Sequence, residues 1–189
     1  MGLLRKKFPS GVIHVALRQE IESWVMWILR WNPGGHGFLL RTVAYKIVFA
    51  KLCGVSFIQH NVTIDYASRI RVGRNFSCNS GSYINAVGDV VIGDNVLVGV
   101  NVVISTGKYY LGADFGSILE TPVLELPVTI GSGVWIGVNV TILPGVIIAP
   151  GCIIGANSVL LKNTGPNEIW AGVPAKFIKR VECIGGGIN

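Results

Sequence analysis

The chain has 189 residues, half of them hydrophobic and only 14% charged, with 25 glycines and a formal net charge of +6. This length carries one domain with a full core, and no uninterrupted apolar run approaches the roughly 20 residues that span a bilayer. The cations are dispersed and not interleaved with aromatic residues, which argues against a nucleic-acid partner.

Cys53, Cys78, Cys152 and Cys183 show no CxxC or other metal-ligand spacing, so reduced thiols are the simplest expectation. The basic start Arg5, Lys6 and Lys7 runs into Phe8, Pro9, Ser10 and Gly11 without the apolar core of a secretory signal. The expected location is the cytoplasm, with the inner face of the cytoplasmic membrane as a candidate site of action.

In chain order, residues 10–52 read as helical. Val12, Ile13, Ala16, Leu17, Ile21, Trp24, Val25, Ile28 and Leu29 follow helical spacing, and Asn32, Pro33, Gly34 and Gly35 break the pattern before a second apolar stretch. Trp24, Trp27 and Trp31 with Arg30, then Arg41, Lys46 and Lys51 beside aliphatic residues, suit an in-plane membrane anchor. They equally suit a cap over the open end of a solenoid, or a contact with another subunit. The two readings are compatible and both stay open at this point.

From about residue 55 the period changes to six. Ile130, Ile136, Ile142, Ile148, Ile154 and Leu160 stand at intervals of six, which fits a chain that turns a corner every six residues and stacks its turns. Ile92, Val98 and Ile104 carry the same period. Upstream, Ile58, Ile64 and Ile70 form one expected phase and Val72, Cys78 and Ile84 the next. A smaller companion follows four residues later at Val96, Val102, Val134, Val140, Val146, Cys152 and Ser158, so each flat face sends one large and one smaller side chain inward. The repeat stops over residues 106–127, and a loop of that length leaving a rigid coil is more often functional than accidental. The expected organisation is a helical cap over residues 1–54, a solenoid over 55–162 and an extension over 163–189 whose end is frayed.

Several stretches go beyond a generic repeat: Asn75-Phe76-Ser77, Ile92-Gly93-Asp94-Asn95-Val96, Val134-Trp135-Ile136-Gly137, Leu143-Pro144-Gly145-Val146, Ile154-Gly155-Ala156-Asn157-Ser158-Val159 and Ala171-Gly172-Val173-Pro174-Ala175-Lys176. Over about residues 55–180 the chain resembles the hexapeptide-repeat O-acetyltransferases, the group of galactoside, maltose, colanic-acid and capsule acetyltransferases. The resemblance implies an all-β solenoid wound as a left-handed parallel β-helix, a homotrimer with acetyl-CoA sites in grooves between neighbouring coils, and a sugar or polysaccharide acceptor. It also implies a reaction in which a histidine of the protruding-loop region takes the proton from an acceptor hydroxyl that attacks the thioester.

Carried over residue by residue, the resemblance assigns acceptor contact to Asn79, the groove aromatic to Trp135, the CoA arm to Ala156 and Lys162, and the CoA phosphates to Lys176 and Lys179. Lysine brings charge to that last role without the bidentate fork of arginine. Two positions depart from the family. Val87 replaces an acidic partner expected eight residues after Asn79, and Tyr109 stands where the family has its catalytic histidine. A phenol is ordinarily protonated at neutral pH and makes a poor general base. Three readings of Tyr109 follow: an inactive site, a site served by another base such as Asp114 or Glu120, or a binding residue in a protein that does not catalyse transfer. His14, His36 and His60 read as capping or surface residues. The competing functions are therefore a non-catalytic trimeric CoA-binding or scaffold protein and an N-acetyltransferase of a nucleotide-linked amino sugar. A zinc-dependent use of the fold needs a histidine cluster, which a solenoid holding His60 alone does not supply, so no metal is expected.

Overall fold

A computed structural model describes residues 10–109 and 121–182. Two helices, α1 (Ser10–Arg30) and α2 (Gly34–Val48), precede five coils of a left-handed parallel β-helix. Each coil contributes one short strand to each of three flat sheets. The first coil is β1 (Lys51–Leu52), β2 (Ser56–Ile58) and β3 (Thr63–Asp65). The second is β4 (Ile70–Val72), β5 (Phe76–Cys78) and β6 (Tyr83–Asn85), and the third is β7 (Val90–Ile92), β8 (Leu97–Val98) and β9 (Val103–Ser105). An antiparallel ribbon, β10 (Gly107–Tyr109) with β11 (Val123–Glu125), then leaves the coil. The fourth coil is β12 (Val128–Ile130), β13 (Trp135–Ile136) and β14 (Thr141–Ile142), and the fifth is β15 (Ile147–Ile148), β16 (Ile153–Ile154) and β17 (Val159–Leu160). β18 (Glu168–Gly172) pairs parallel with β16, and β19 (Ala175–Arg180) returns antiparallel along it.

The six-residue period becomes three vertical stacks of inward side chains, all buried but the partly buried Leu52. One face aligns Leu52, Val72, Ile92, Ile130 and Ile148, the second Ile58, Cys78, Val98, Ile136 and Ile154, and the third Ile64, Ile84, Ile104, Ile142 and Leu160. The companions Val96, Val102, Val134, Val140, Val146, Cys152 and Ser158 are buried as the pattern implied. Burial raises the Cys78 thiol to about 12, so its role there is that of a small apolar side chain. Asparagines turn many of the corners in the left-handed region, at Asn75, Asn95, Asn139 and Asn157 among others. Their amides stack between coils, Asn75 on Asn95 at 2.9 Å and Asn139 on Asn157 at 3.1 Å.

Two expectations are corrected. Ile70 does not continue the six-residue phase of Ile58 and Ile64; it aligns with Val90 and Val128 as the inward companion on the first face. The reason is a corner two residues longer than a hexapeptide between the third and first faces of the early coils, filled in the first coil by a 3-10 turn at Ala67–Arg69. Equivalent positions in the early coils are therefore twenty residues apart, as in Ile58, Cys78 and Val98, and eighteen apart in the last two, as in Ile136 and Ile154. The coil also begins at Lys51 rather than 55, because β1 already pairs with Arg71 and Val72.

Both open ends of the prism are closed by polar groups. At the lower end the buried Arg41 of α2 donates to the carbonyls of Ile58, at 2.8 Å, and of Leu29, at 3.3 Å, and Asn61 N–H donates to the Arg30 carbonyl at 2.7 Å. At the upper end Asn163 accepts from Ile147 N–H at 2.8 Å and Thr164 from Ala149 N–H at 2.9 Å, so the last strand of the first face has no free edge there.

Candidate functional site

Register between coils decides which candidate residues share an edge. Asn79 follows β5 at the corner between the second and third faces, and its side-chain amide donates to the Val98 carbonyl of the coil above at 2.9 Å. Trp135 points outward from the second face, half exposed, in a column with Leu97 below and Ile153 above. Ala156 is exposed at the corner that follows β16, one coil above. A Cβ on Gly137 would lie 2.7 Å from Ala156 N, so glycine at that corner lets the coils close up and leaves the Ala156 edge shallow. Lys176 and Lys179 are exposed on β19, at the upper limit of the same sheet, and Lys179 pairs with Glu182 at 3.3 Å. These five positions form one track along one side of the prism.

Tyr109 and Lys162 lie elsewhere. Both follow strands of the third face, at the corner where that face turns into the first, and both are exposed. Tyr109 ends β10 opposite Val123, 54% exposed. The ribbon is tied down by Arg69, which reaches Asp89 at 3.2 Å and Glu125 of β11 at 2.8 Å. Those carboxylates, the Asp89 hydrogen bond above all, hold the Arg69 pKa above its ordinary value. Beneath the ribbon, Thr106 hydroxyl donates to the Asn85 carbonyl at 2.8 Å and accepts from Gly88 N–H at 2.7 Å. The alternative bases Asp114 and Glu120 lie outside the described residues, as does Cys183. His36 and His60 are exposed; the side chain of His14 is outside what is described.

The geometry adds a group of residues that the motifs did not single out. α1 crosses the lower part of the third face and leaves a cleft of about 590 Å³ lined by Glu20, Trp27, Arg30, Asp65, Tyr66 and Asn85, among others. Tyr83 hydroxyl donates to Asp65 Oδ2 at 2.6 Å, and Asn85 amide donates to Tyr83 Oη at 3.3 Å. Burial, followed by the Asp65 hydrogen bond, raises the Tyr83 pKa. The signal available in sequence was the twenty-residue spacing of Asp65, Asn85 and Ser105, which register places in one outward column. Among the described residues no group of three or more His, Cys, Asp and Glu side chains is arranged to hold a metal ion.

The family model described as bacterial transferase hexapeptide (six repeats) matches residues 127–162, and that described as hexapeptide repeat of succinyl-transferase matches residues 89–107. The chain is 37% identical to the galactoside O-acetyltransferase of Escherichia coli K12 over 136 residues, which cover 72% of this chain and 66% of that protein, a little under two thirds of its length. It is 32% identical to WbbJ of the same organism, by name a lipopolysaccharide biosynthesis O-acetyl transferase, over 75% of this chain and 86% of WbbJ. Among solved structures, a galactoside acetyltransferase in complex with coenzyme A superposes with a TM-score of 0.82 at 30% identity, covering 94% of this chain and 86% of that one.

Proposed function

Since the chain belongs to the hexapeptide-repeat acetyltransferase family, we propose that it transfers the acetyl group of acetyl-CoA to a hydroxyl of a surface-polysaccharide or lipid-linked sugar, working as a homotrimer at the cytoplasmic face of a membrane. The observation that carries the cofactor half is the track along the second face. An outward indole at Trp135, a shallow corner at Ala156 and two cations at Lys176 and Lys179 follow one another upward, an order that suits a thioester arm, a pantetheine chain and phosphates.

The division of the candidate residues supports the trimer. Tyr109 and Lys162 stand on one edge of the prism and the Trp135 track on another, so one chain does not bring them into one groove, whereas a neighbouring copy packed edge to face would. The sugar class rests on likeness to WbbJ and to the galactoside enzyme. The membrane rests on α1 and the turn after it, where Leu17, Ile21, Trp24, Ile28 and Trp31 form an exposed apolar stripe, though no described helix is long and apolar enough to cross a bilayer.

Tyr109 favours a second reading, a CoA-binding protein without transfer, because an exposed phenol replaces the expected base. Release of free CoA from acetyl-CoA, measured with saccharide acceptors for this chain and for Tyr109→His, separates the two. Turnover by the unaltered chain is expected. Turnover by the histidine variant alone identifies a transferase that lacks its base, and CoA binding without turnover by either chain sinks the transferase reading.

A further inference from the structure

Along the outside of the first face one position recurs in every coil, occupied from the lower end upward by Lys51, Arg71, Val91, Thr129 and Ile147. Only the two lowest are charged. Both are cations, and register sets them directly opposite each other on strands about 4.8 Å apart. Like charges so placed repel. The nearby carboxylates are committed to other arginines. Arg69, just before β4, holds Asp89 and Glu125, and Arg74, just after it, holds Asp94. Lys51 and Arg71 are exposed and take part in no ion pair among the described residues. The charge is also gathered on one side of the prism. At the same height the third face carries Asp65, with Glu20 across the cleft, so the cations are not spread around the lower end as on an ordinary solvated surface.

The surface that adjoins the pair is apolar. α2 ends three residues before Lys51, and its outer stripe of Leu39, Val43 and Ile47 leads to the pair past the exposed Lys46 of its last turn. Val55 and Phe57, also exposed, follow at the next corner and face of the same coil. An anion held by the pair therefore lies beside hydrocarbon. That is the arrangement at the edge of a bilayer, where apolar side chains enter the acyl boundary and cations just above them meet the headgroups. We propose that Lys51 and Arg71, with Lys46, form a site for the headgroup phosphate of an anionic phospholipid and so fix how deep the helical cap sits in the bilayer. This rests on the membrane reading, to which it adds a lipid class and a place. The phosphate offsets the repulsion between the two cations, and Arg71 presents paired N–H donors to its oxygens.

The test measures partition of the full chain onto vesicles of phosphatidylcholine with and without phosphatidylglycerol, beside thermal unfolding. The unaltered chain is expected to prefer the anionic vesicles. Lys51→Gln combined with Arg71→Gln is expected to lower affinity for them about thirtyfold, at about fivefold per cation. Affinity for the neutral vesicles should stay as it was, and Tm should hold or rise because a repulsion is gone. Lys108→Gln combined with Arg180→Gln removes the same charge from the ribbon and from β19, and should change either affinity by no more than about twofold. Undiminished binding of anionic vesicles by the first double variant, or equal losses in both, overturns the proposal while the membrane reading stands. Equal binding of both vesicles by the unaltered chain does the same, and if that chain binds pyrophosphate, the pair belongs to a soluble phosphate ester. An unaltered chain that binds neither vesicle overturns the membrane reading as well.

Discussion

Arg41 is a buried cation surrounded by carbonyl groups. It is 4% exposed, and its hydrogen bonds go to the carbonyls of Leu29, Asn32 and Ile58, with no carboxylate among them. Leu29 belongs to the last turn of α1 and Asn32 follows it, so the guanidinium meets the negative end of that helix as well as its unpaired carbonyls. Desolvation lowers the Arg41 pKa, but an arginine stays charged throughout the accessible pH range. The approach requires Gly37, where a Cβ would sit 1.8 Å from the Asn32 carbonyl oxygen. Arg41→Met keeps the volume and strands the carbonyls, and a loss of about 3 kcal/mol is expected in urea unfolding. A loss below about 0.5 kcal/mol would mean that water replaces the guanidinium. Arg41 was visible in the sequence only as a cation within an apolar stretch, because the carbonyls it serves come from the last turn of α1, the residue shortly after it and the first coil. Tyr109 shows the opposite case: order along the chain singled it out, and the structure adds that it ends β10, exposed.

At the scale of elements, the coil was legible because each turn repeats the same inward choice, with Ile or Val at one position and a smaller residue four later. The twenty-residue coils blurred that signal, since their longer corners hold Tyr66 to Arg69 and Ala86 to Asp89, with no strict hexad. Those corners have a use: Arg69 stands on the first and Asp89 on the second, and Arg69, paired with Asp89, also pairs with Glu125 of the ribbon. The sequence marked residues 106–127 as a departure but not its paired base, which depends on Gly107 facing Glu125 across the ribbon. Arg69→Ala removes both ion pairs. Because they are partly exposed, global stability should change by no more than about 1 kcal/mol, whereas cleavage within residues 107–126 by a low dose of protease should become severalfold faster. Unchanged cleavage would show that the strand pairing and the Thr106 contacts hold the ribbon without Arg69.

For the whole molecule, the division of candidate residues between two edges and the apolar stripe at one end bear on each other. In the proposed trimer, with its threefold axis along the solenoid, all three helical caps would stand at the same end and three stripes would face one plane. Along α1 and the turn that follows it, Leu17, Ile21, Trp24, Ile28 and Trp31 recur at alternating spacings of four and three, and α2 adds Leu39, Val43 and Ile47, the last 80% exposed. Lys46 is exposed beside Ile47, and the Arg30 guanidinium lies 5.1 Å from the Trp31 ring, so cations border the apolar surface. One such stripe binds a bilayer weakly, but three joined rigidly bind with a shared effective concentration that multiplies their affinities. The chain should therefore float with anionic liposomes, and Trp24→Ser with Ile28→Ser and Trp31→Ser should abolish flotation while leaving the mass expected of the proposed trimer, about three times 20.3 kDa, unchanged in sedimentation. The same alternating spacing is that of a helix–helix seam. If the triple variant instead sediments as a monomer, and the unaltered chain does not float, the stripe is a subunit contact and the membrane reading falls.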